Sequence, residues 1–87
     1  MTENPKTLAV ALQYRAPQAP KVTAIGRGEL ARRILDVGGA SGVPISRNAE
    51  LAVALSQVEI DEEIPEHLYR AVAEVLAYIL RVSGQLK

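Results

Sequence analysis

The chain has 87 residues, no cysteine, and ten basic against ten acidic side chains, so its formal net charge is zero. This length fits one domain, 1–87, with a core that we place at about residues 4–83. The composition excludes a disulfide framework and a thiolate metal site, argues against a nucleic-acid partner, and contains no apolar run near the roughly 20 residues of a membrane span. We therefore expect a cytoplasmic protein without membrane insertion.

The first half of the chain predicts two strands and a helix. Residues 7–14 form a short apolar run with prolines on either side, which favours a strand buried on both faces in the middle of a sheet. Residues 21–25 carry β-branched side chains at alternate positions and predict a second strand. Apolar residues recur at helical spacing between 30 and 35, and the pair Gly38-Gly39 should weaken or end that helix.

The second half predicts one very short strand at 43–45 and two more helices. Asn48 can cap a helix over 49–55, the alternating residues 58–64 indicate an extended linker, and the last helix should span about 65–83. The predicted fold class is α/β, a small mixed sheet of three to four strands covered by three helices, in the order β-β-α-β-α-α. The strand–helix–strand order around 22–45 implies a parallel pair with a right-handed crossover.

No catalytic constellation is visible, so the sequence predicts neither an enzyme nor a cofactor or metal site. The one histidine, His67, lies in the first turn of the last helix without a local ligand partner and is interpreted as a surface residue. Charge is unevenly distributed, since residues 1–47 carry a net charge of +4 and residues 48–87 carry −4. Such a split can steer a partner, although charges that only decorate solvated faces are the alternative interpretation.

Five blocks of the sequence, in order, resemble the cytoplasmic domain of the FlhB/YscU proteins, the substrate-specificity switches of flagellar and virulence type III secretion. The first block begins with Asn4-Pro5 and continues through Leu8-Ala9-Val10-Ala11-Leu12, and Gly42-Val43-Pro44-Ile45 forms the third. The blocks cover 4–14, 19–24, 42–45, 58–65 and 69–78. The resemblance therefore extends over nearly the whole chain.

The resemblance implies a domain that cuts itself between Asn and Pro in an Asn-Pro-Thr-His loop. The Asn side-chain amide attacks its own carbonyl carbon and expels the proline nitrogen, which carries no competing N–H. Here Asn4-Pro5 is followed by Lys6-Thr7, so the histidine of that motif is missing. We expect no cleavage and interpret Asn4 and Pro5 as remnants of the motif.

The resemblance also implies a function in protein export. We expect an FlhB-like accessory or partner of the flagellar type III export apparatus, peripheral at the inner-membrane export gate, which binds export components or export substrates. The family strand that precedes the motif is missing from this sequence, so the first strand should expose an edge that accepts a foreign strand or a second copy. The expected surface contacts are Lys21, Arg27, Glu62 and Glu63.

Two other functions stay open at this point. One is a self-cleaving Asn-Pro switch that still works, and the other is a small α/β binding module unrelated to secretion.

Overall fold

The computed structural model describes residues 7–82, and this part of the chain contains two strands, three α-helices and one 3-10 turn. The α/β class and the three predicted helices are therefore confirmed. In chain order the elements are β1 (Leu8–Gln13), β2 (Lys21–Arg27), α1 (Glu29–Ala40), α2 (Ala49–Leu55), the 3-10 turn (Glu66–Leu68) and α3 (Tyr69–Val82).

The two strands form one antiparallel pair, with Leu8 opposite Arg27 and Gln13 opposite Lys21. The register shifts after Ala11, where Thr23 of β2 is the extra residue and donates its hydroxyl to the Ala11 carbonyl at 3.3 Å. The predicted parallel pair around 22–45 is wrong. That pair required a strand at 43–45, which does not form within the described residues, and β2 pairs with β1 instead because residues 14–20 reverse the chain directly into it.

One face of the strand pair carries small residues and packs closely against α1. Ala9 lies opposite Gly26 in the ladder, and both residues are buried. A Cβ atom on Gly26 would lie 2.7 Å from Ile34 Cδ1 and 2.7 Å from Leu30 Cγ. Helix α1 can therefore lie this near the sheet only because residue 26 has no side chain.

The opposite face carries larger side chains and forms the main core. Val10, Leu12 and Ile25 of the sheet pack against a buried cluster that is built around β2, α2 and the start of α3. The cluster consists of Val22, Leu51, Leu55, Ile64, Leu68 and Val72. Strand β1 contacts both α1 and α2, so helices reach it as the sequence predicted.

The place of β1 in the sheet differs from the prediction. Within residues 7–82 its one neighbour is β2, so β1 lies at an edge and not in the middle of a sheet. Ala9 is buried, but Val10, Ala11 and Leu12 are only half-buried. An apolar run is consistent with either position, because helices on both faces bury its side chains whether or not a second strand is paired beside it.

Helix α1 ends at Ala40, one residue past the glycine pair that the sequence predicted would weaken or end it. It continues through Gly38 and Gly39, and Gly42 stops it in the left-handed region at φ 78°. The N–H of Val43 donates to Gly38 O at 2.8 Å, and the N–H of Gly42 donates to Gly39 O at 3.1 Å. This is a Schellman motif, in which the left-handed residue sets the stop and the preceding glycines only weaken the last turn.

The predicted third strand at 43–45 is absent from the described residues. The backbone there runs in an irregular loop between α1 and α2, with 53% of Val43 and 49% of Ile45 exposed. Pro44 has no N–H, which removes one ladder bond from a segment that was only three residues long. The β-branched residues Val43 and Ile45 favoured a strand, but within the described residues no strand lies beside them to pair with.

The remaining helix starts follow local capping chemistry. Asn48 Oδ1 accepts the N–H of Leu51 at 3.0 Å, which confirms the predicted cap and the bounds of α2. The last helix begins later than expected, because Leu68 donates its N–H to Pro65 O at 2.9 Å and closes a 3-10 turn first. Regular α-helix starts at Tyr69.

Candidate protein-interaction surface

Residues 61–64 pair with the first part of the outer edge of β2, at Pro20, Lys21 and Val22, and we call this paired stretch the closed edge. The N–H of Val22 donates to Glu62 O at 3.0 Å, and the N–H of Ile64 donates to Pro20 O at 2.9 Å. Asp61 turns the chain into this position with φ 75°, and its own N–H donates to Val22 O at 2.6 Å. The segment that the sequence predicted as a linker therefore pairs with the sheet, and Ile64 anchors it in the core.

The outer edge of β1 is open within residues 7–82. Gly28 donates its N–H to Thr7 O at 2.8 Å, which fixes the alternation of the ladder. Every second residue of an antiparallel strand turns its N–H and C=O away from its neighbour. Leu8, Val10 and Leu12 accordingly direct these groups outward, where no described backbone group pairs with them. We call these three residues the open edge.

The structure brings together three of the four predicted contact residues. Lys21 lies opposite Glu63 in an isolated bridge, and Glu62 precedes Glu63 on the same segment. Both glutamates are exposed and Lys21 is half-buried. Arg27 is exposed but lies at the other end of β2, roughly 20 Å from Lys21 at the usual rise per residue. The four residues are therefore not one site.

A shallow cleft of about 310 Å³ lies beside this bridge and has a mixed charge. It is lined by Gln13, Arg15, Gln18, Ala19, Lys21 and Glu63. Arg15 and Gln18 were missed at the sequence level, because the loop between the strands has no periodicity. The one sequence signal for Arg15 and Gln18 was their place in the loop between the two predicted strands.

Exposed apolar side chains form a second feature that the sequence did not identify. More than half of Leu30 and of Val37 is exposed on α1, and Val43 and Ile45 of the following loop are exposed to a similar degree. The sequence placed Leu30 among the apolar residues that recur at helical spacing, and it placed 43–45 in a strand. The proline at 44 was the sequence signal that this segment would not pair.

Within the described residues the structure shows neither the Asn-Pro motif nor a cluster of metal ligands. Asn4 and Pro5 lie outside the described residues. His67 is exposed and borders a second cleft of about 430 Å³, on the other side of Glu63. In the described part of the chain no three His, Asp or Glu side chains come together as metal ligands would. No helix within residues 7–82 has the length and apolar content that a membrane crossing requires.

Comparison with known proteins gives a consistent family assignment. The model of the FlhB HrpN YscU SpaS Family matches residues 2–79. Flagellar biosynthetic protein FlhB of Salmonella typhimurium is 47% identical over 92% of this chain, which spans only 22% of that relative. The uncharacterized protein YlqH of Bacillus subtilis is 34% identical and similar in length, with 98% of this chain and 94% of YlqH covered.

The fold agrees with the same family. The crystal structure of the cytoplasmic domain of FlhB from Shewanella putrefaciens superposes with a TM-score of 0.83 at 34% identity. The match covers 90% of this chain and 66% of that domain. The chain thus has the fold of an FlhB cytoplasmic domain and spans about a quarter or less of the flagellar relatives it matches. It belongs to the FlhB/HrpN/YscU/SpaS family.

Proposed function

We propose that this protein is an accessory of the flagellar type III export apparatus that acts through protein–protein contacts. One observation carries the proposal: a chain with the FlhB cytoplasmic fold presents, within its described residues, a strand edge whose backbone groups are unpaired. The expected partners are export components or export substrates at the inner-membrane export gate. Family membership weighs against a binding module unrelated to secretion.

The open edge supplies the affinity in this proposal. A strand that pairs with Leu8, Val10 and Leu12 forms main-chain hydrogen bonds, while the neighbouring helices select its side chains. The exposed apolar residues of α1 and of the loop after it supply additional contact area. Main-chain recognition of this kind tolerates a range of partner sequences, which suits a protein that meets several export components.

The charged cleft at the end of the strand pair where Gln13 faces Lys21 orients the partner in this proposal. Lys21 and Arg15 place positive charge beside Glu63, so a partner surface with alternating charge fits better than a uniformly acidic or basic one. Arg27 acts separately, near the end of the ladder where β1 begins. Because these groups are partly or fully exposed, salt screens them, and their contribution should fall as ionic strength rises.

The Asn4-Pro5 bond stays intact in this proposal. Attack by the Asn side chain needs a strained, held turn and a suitable proton partner, and Lys6-Thr7 replaces the Thr-His that follows in the family motif. The protein then has no enzymatic step of its own. A functioning self-cleaving switch is the rival, and it predicts that residues 1–4 are lost as one unit.

The experiment measures binding of the purified full chain to purified soluble portions of export components by calorimetry, after intact-mass measurement has established whether residues 1–4 are present. We expect binding that weakens on the order of tenfold (~1.4 kcal/mol) when Lys21→Glu or Glu63→Lys reverses the cleft charge. Glu74→Lys is the matched control for Glu63→Lys, because Glu74 is exposed on α3 and the two substitutions change the net charge equally.

Three results would contradict the proposal. The first is no binding to any export component. The second is equal weakening by Glu74→Lys and by Glu63→Lys, which would reduce the effect to net charge. The third is loss of residues 1–4 from the purified protein, which would favour the self-cleaving switch.

A further inference from the structure

The residues of the open edge belong to a run that reads the same in both directions, Leu8-Ala9-Val10-Ala11-Leu12. We propose that, when no export partner occupies the open edge, β1 pairs antiparallel with β1 of a second copy, with Val10 directly opposite Val10 of that copy. This inference rests on the proposed role of the open edge as a docking site and names its occupant. The product is a four-stranded antiparallel sheet in the order β2-β1-β1-β2.

Hydrogen-bond alternation selects this register. Leu8, Val10 and Leu12 direct their N–H and C=O groups outward. When Val10 lies opposite itself, Leu8 lies opposite Leu12 of the second copy, so every outward residue meets an outward residue. Each such pair can exchange both N–H···O=C bonds. A shift by two residues in either direction leaves a leucine of the run without a counterpart.

The side chains agree with the same two-fold arrangement. A two-fold axis perpendicular to the sheet keeps each face of one copy on the same face of the other. The larger residues of the run then meet beside the main core, against which Val10 and Leu12 already pack. Ala9 and Ala11 meet on the face covered by α1. No charged residue lies between 8 and 12, so no like charges are opposed within the run.

Pairing also offsets a weakness of the single copy. An apolar edge strand with unpaired backbone groups tends to associate with other strands. Two copies that share β1 bury both edges at once and leave the closed edges, made by residues 61–64, at the outside of the new sheet. The acidic side chains of those segments then discourage further growth.

The first test compares the mass of three full-length proteins in sedimentation experiments over a range of concentrations. Val10→Pro removes one outward N–H but no ladder bond to β2, and proline is tolerated on edge strands. Val10→Ala is the matched control, because it trims the side chain and keeps the N–H. We expect the wild type and Val10→Ala to reach twice 9.4 kDa with rising concentration, and Val10→Pro to stay at 9.4 kDa.

A wild type that stays monomeric at every concentration would overturn the inference, and so would a Val10→Pro protein that associates as the wild type does. If Val10→Pro loses its circular dichroism signal, amide exchange of the wild type decides. Raising the concentration should slow exchange at Leu8, Val10 and Leu12 at least tenfold and leave Ala9 and Ala11 unchanged. An unchanged rate at Val10 contradicts self-pairing.

The two proposals fail separately. If an export component protects the amides of the open edge in a chain that is monomeric alone, the docking site is real and its occupant is a foreign strand, which overturns self-pairing only. If the chain dimerises through β1 but binds no export component, the proposed function fails and self-pairing stands.

Discussion

The two outer edges of the sheet belong to similar strands but differ in backbone pairing. Residues 61–64 cover the start of the β2 edge with three backbone hydrogen bonds, to Pro20 and Val22, and Ile64 fixes that cover in the core. The edge of β1 has no such cover within residues 7–82, although its side chains are at least as apolar. The difference teaches that unpaired backbone groups, more than exposed apolar side chains, distinguish the edge that can dock a partner.

The closed edge is charged on its surface and apolar beneath it. Glu62 and Glu63 are exposed, whereas Ile64 is only 3% exposed and belongs to the same cluster as Val22 and Val72. The cover is therefore held by burial of one side chain together with main-chain bonds. The acidic residues contribute little to stability at such exposure, and they leave the surface available for a partner.

The largest expected effect comes from removing the anchor of the closed edge. Ile64→Ala leaves a cavity in the main core and should lower the free energy of unfolding by about 3 kcal/mol. Urea denaturation measures the loss. Ile60→Ala is the control four residues earlier, because 52% of Ile60 is exposed and its truncation should change stability by less than about 0.5 kcal/mol.

Equal losses in the two isoleucine variants would contradict the comparison, since they would mean that the cover is not anchored through Ile64. Amide exchange adds a second readout. In Ile64→Ala the Val22 amide, which donates to Glu62 O, should exchange faster, because the segment that accepts it is released.

Most of the elements could be predicted from the sequence because their signals are local. The cap at Asn48 and the stripe of α3 depend on neighbours within one or two helical turns. The sheet could not be completed in this way, because pairing depends on distant residues. Val58 and Ile64 alternate with acids as a solvated linker would, and only the fold brings 61–64 beside Pro20 and Val22.

The candidate surface was predicted only in part, because it too depends on residues that are distant in the sequence. The sequence indicated an exposed edge at the first strand, and the structure has one within the described residues. It grouped Lys21 and Arg27 by charge alone, although the two residues lie at opposite ends of β2. It assigned Val43 and Ile45 to a strand by side-chain type, and no information in a three-residue segment shows whether a neighbouring strand exists.

A smaller effect tests how closely α1 packs against the strand pair that separates the two edges. Gly26→Ala places a Cβ 2.7 Å from Ile34 Cδ1 and 3.0 Å from the Leu30 backbone carbon, so α1 must move away from the sheet. We expect a loss of about 2 kcal/mol in urea denaturation. The contrasting variant is Gly39→Ala, which meets nothing within 4 Å and should gain about 1 kcal/mol because Gly39 lies within α1.

A Gly26→Ala protein as stable as the wild type would show that α1 is loosely packed against the strand pair. The same sign in both glycine variants would also count against the close packing, since a general preference for alanine would explain it.

The most direct measurement is residue-resolved amide exchange across β1 in dilute protein without a partner. An open edge predicts alternation: the amides of Ala9 and Ala11 face β2 and exchange slowly, and those of Leu8, Val10 and Leu12 face outward and exchange fast. Uniformly slow exchange from 8 to 12 at high dilution would mean that the edge is already covered, and uniformly fast exchange would mean that the strand pair does not persist. Either result would contradict an edge held ready for a partner.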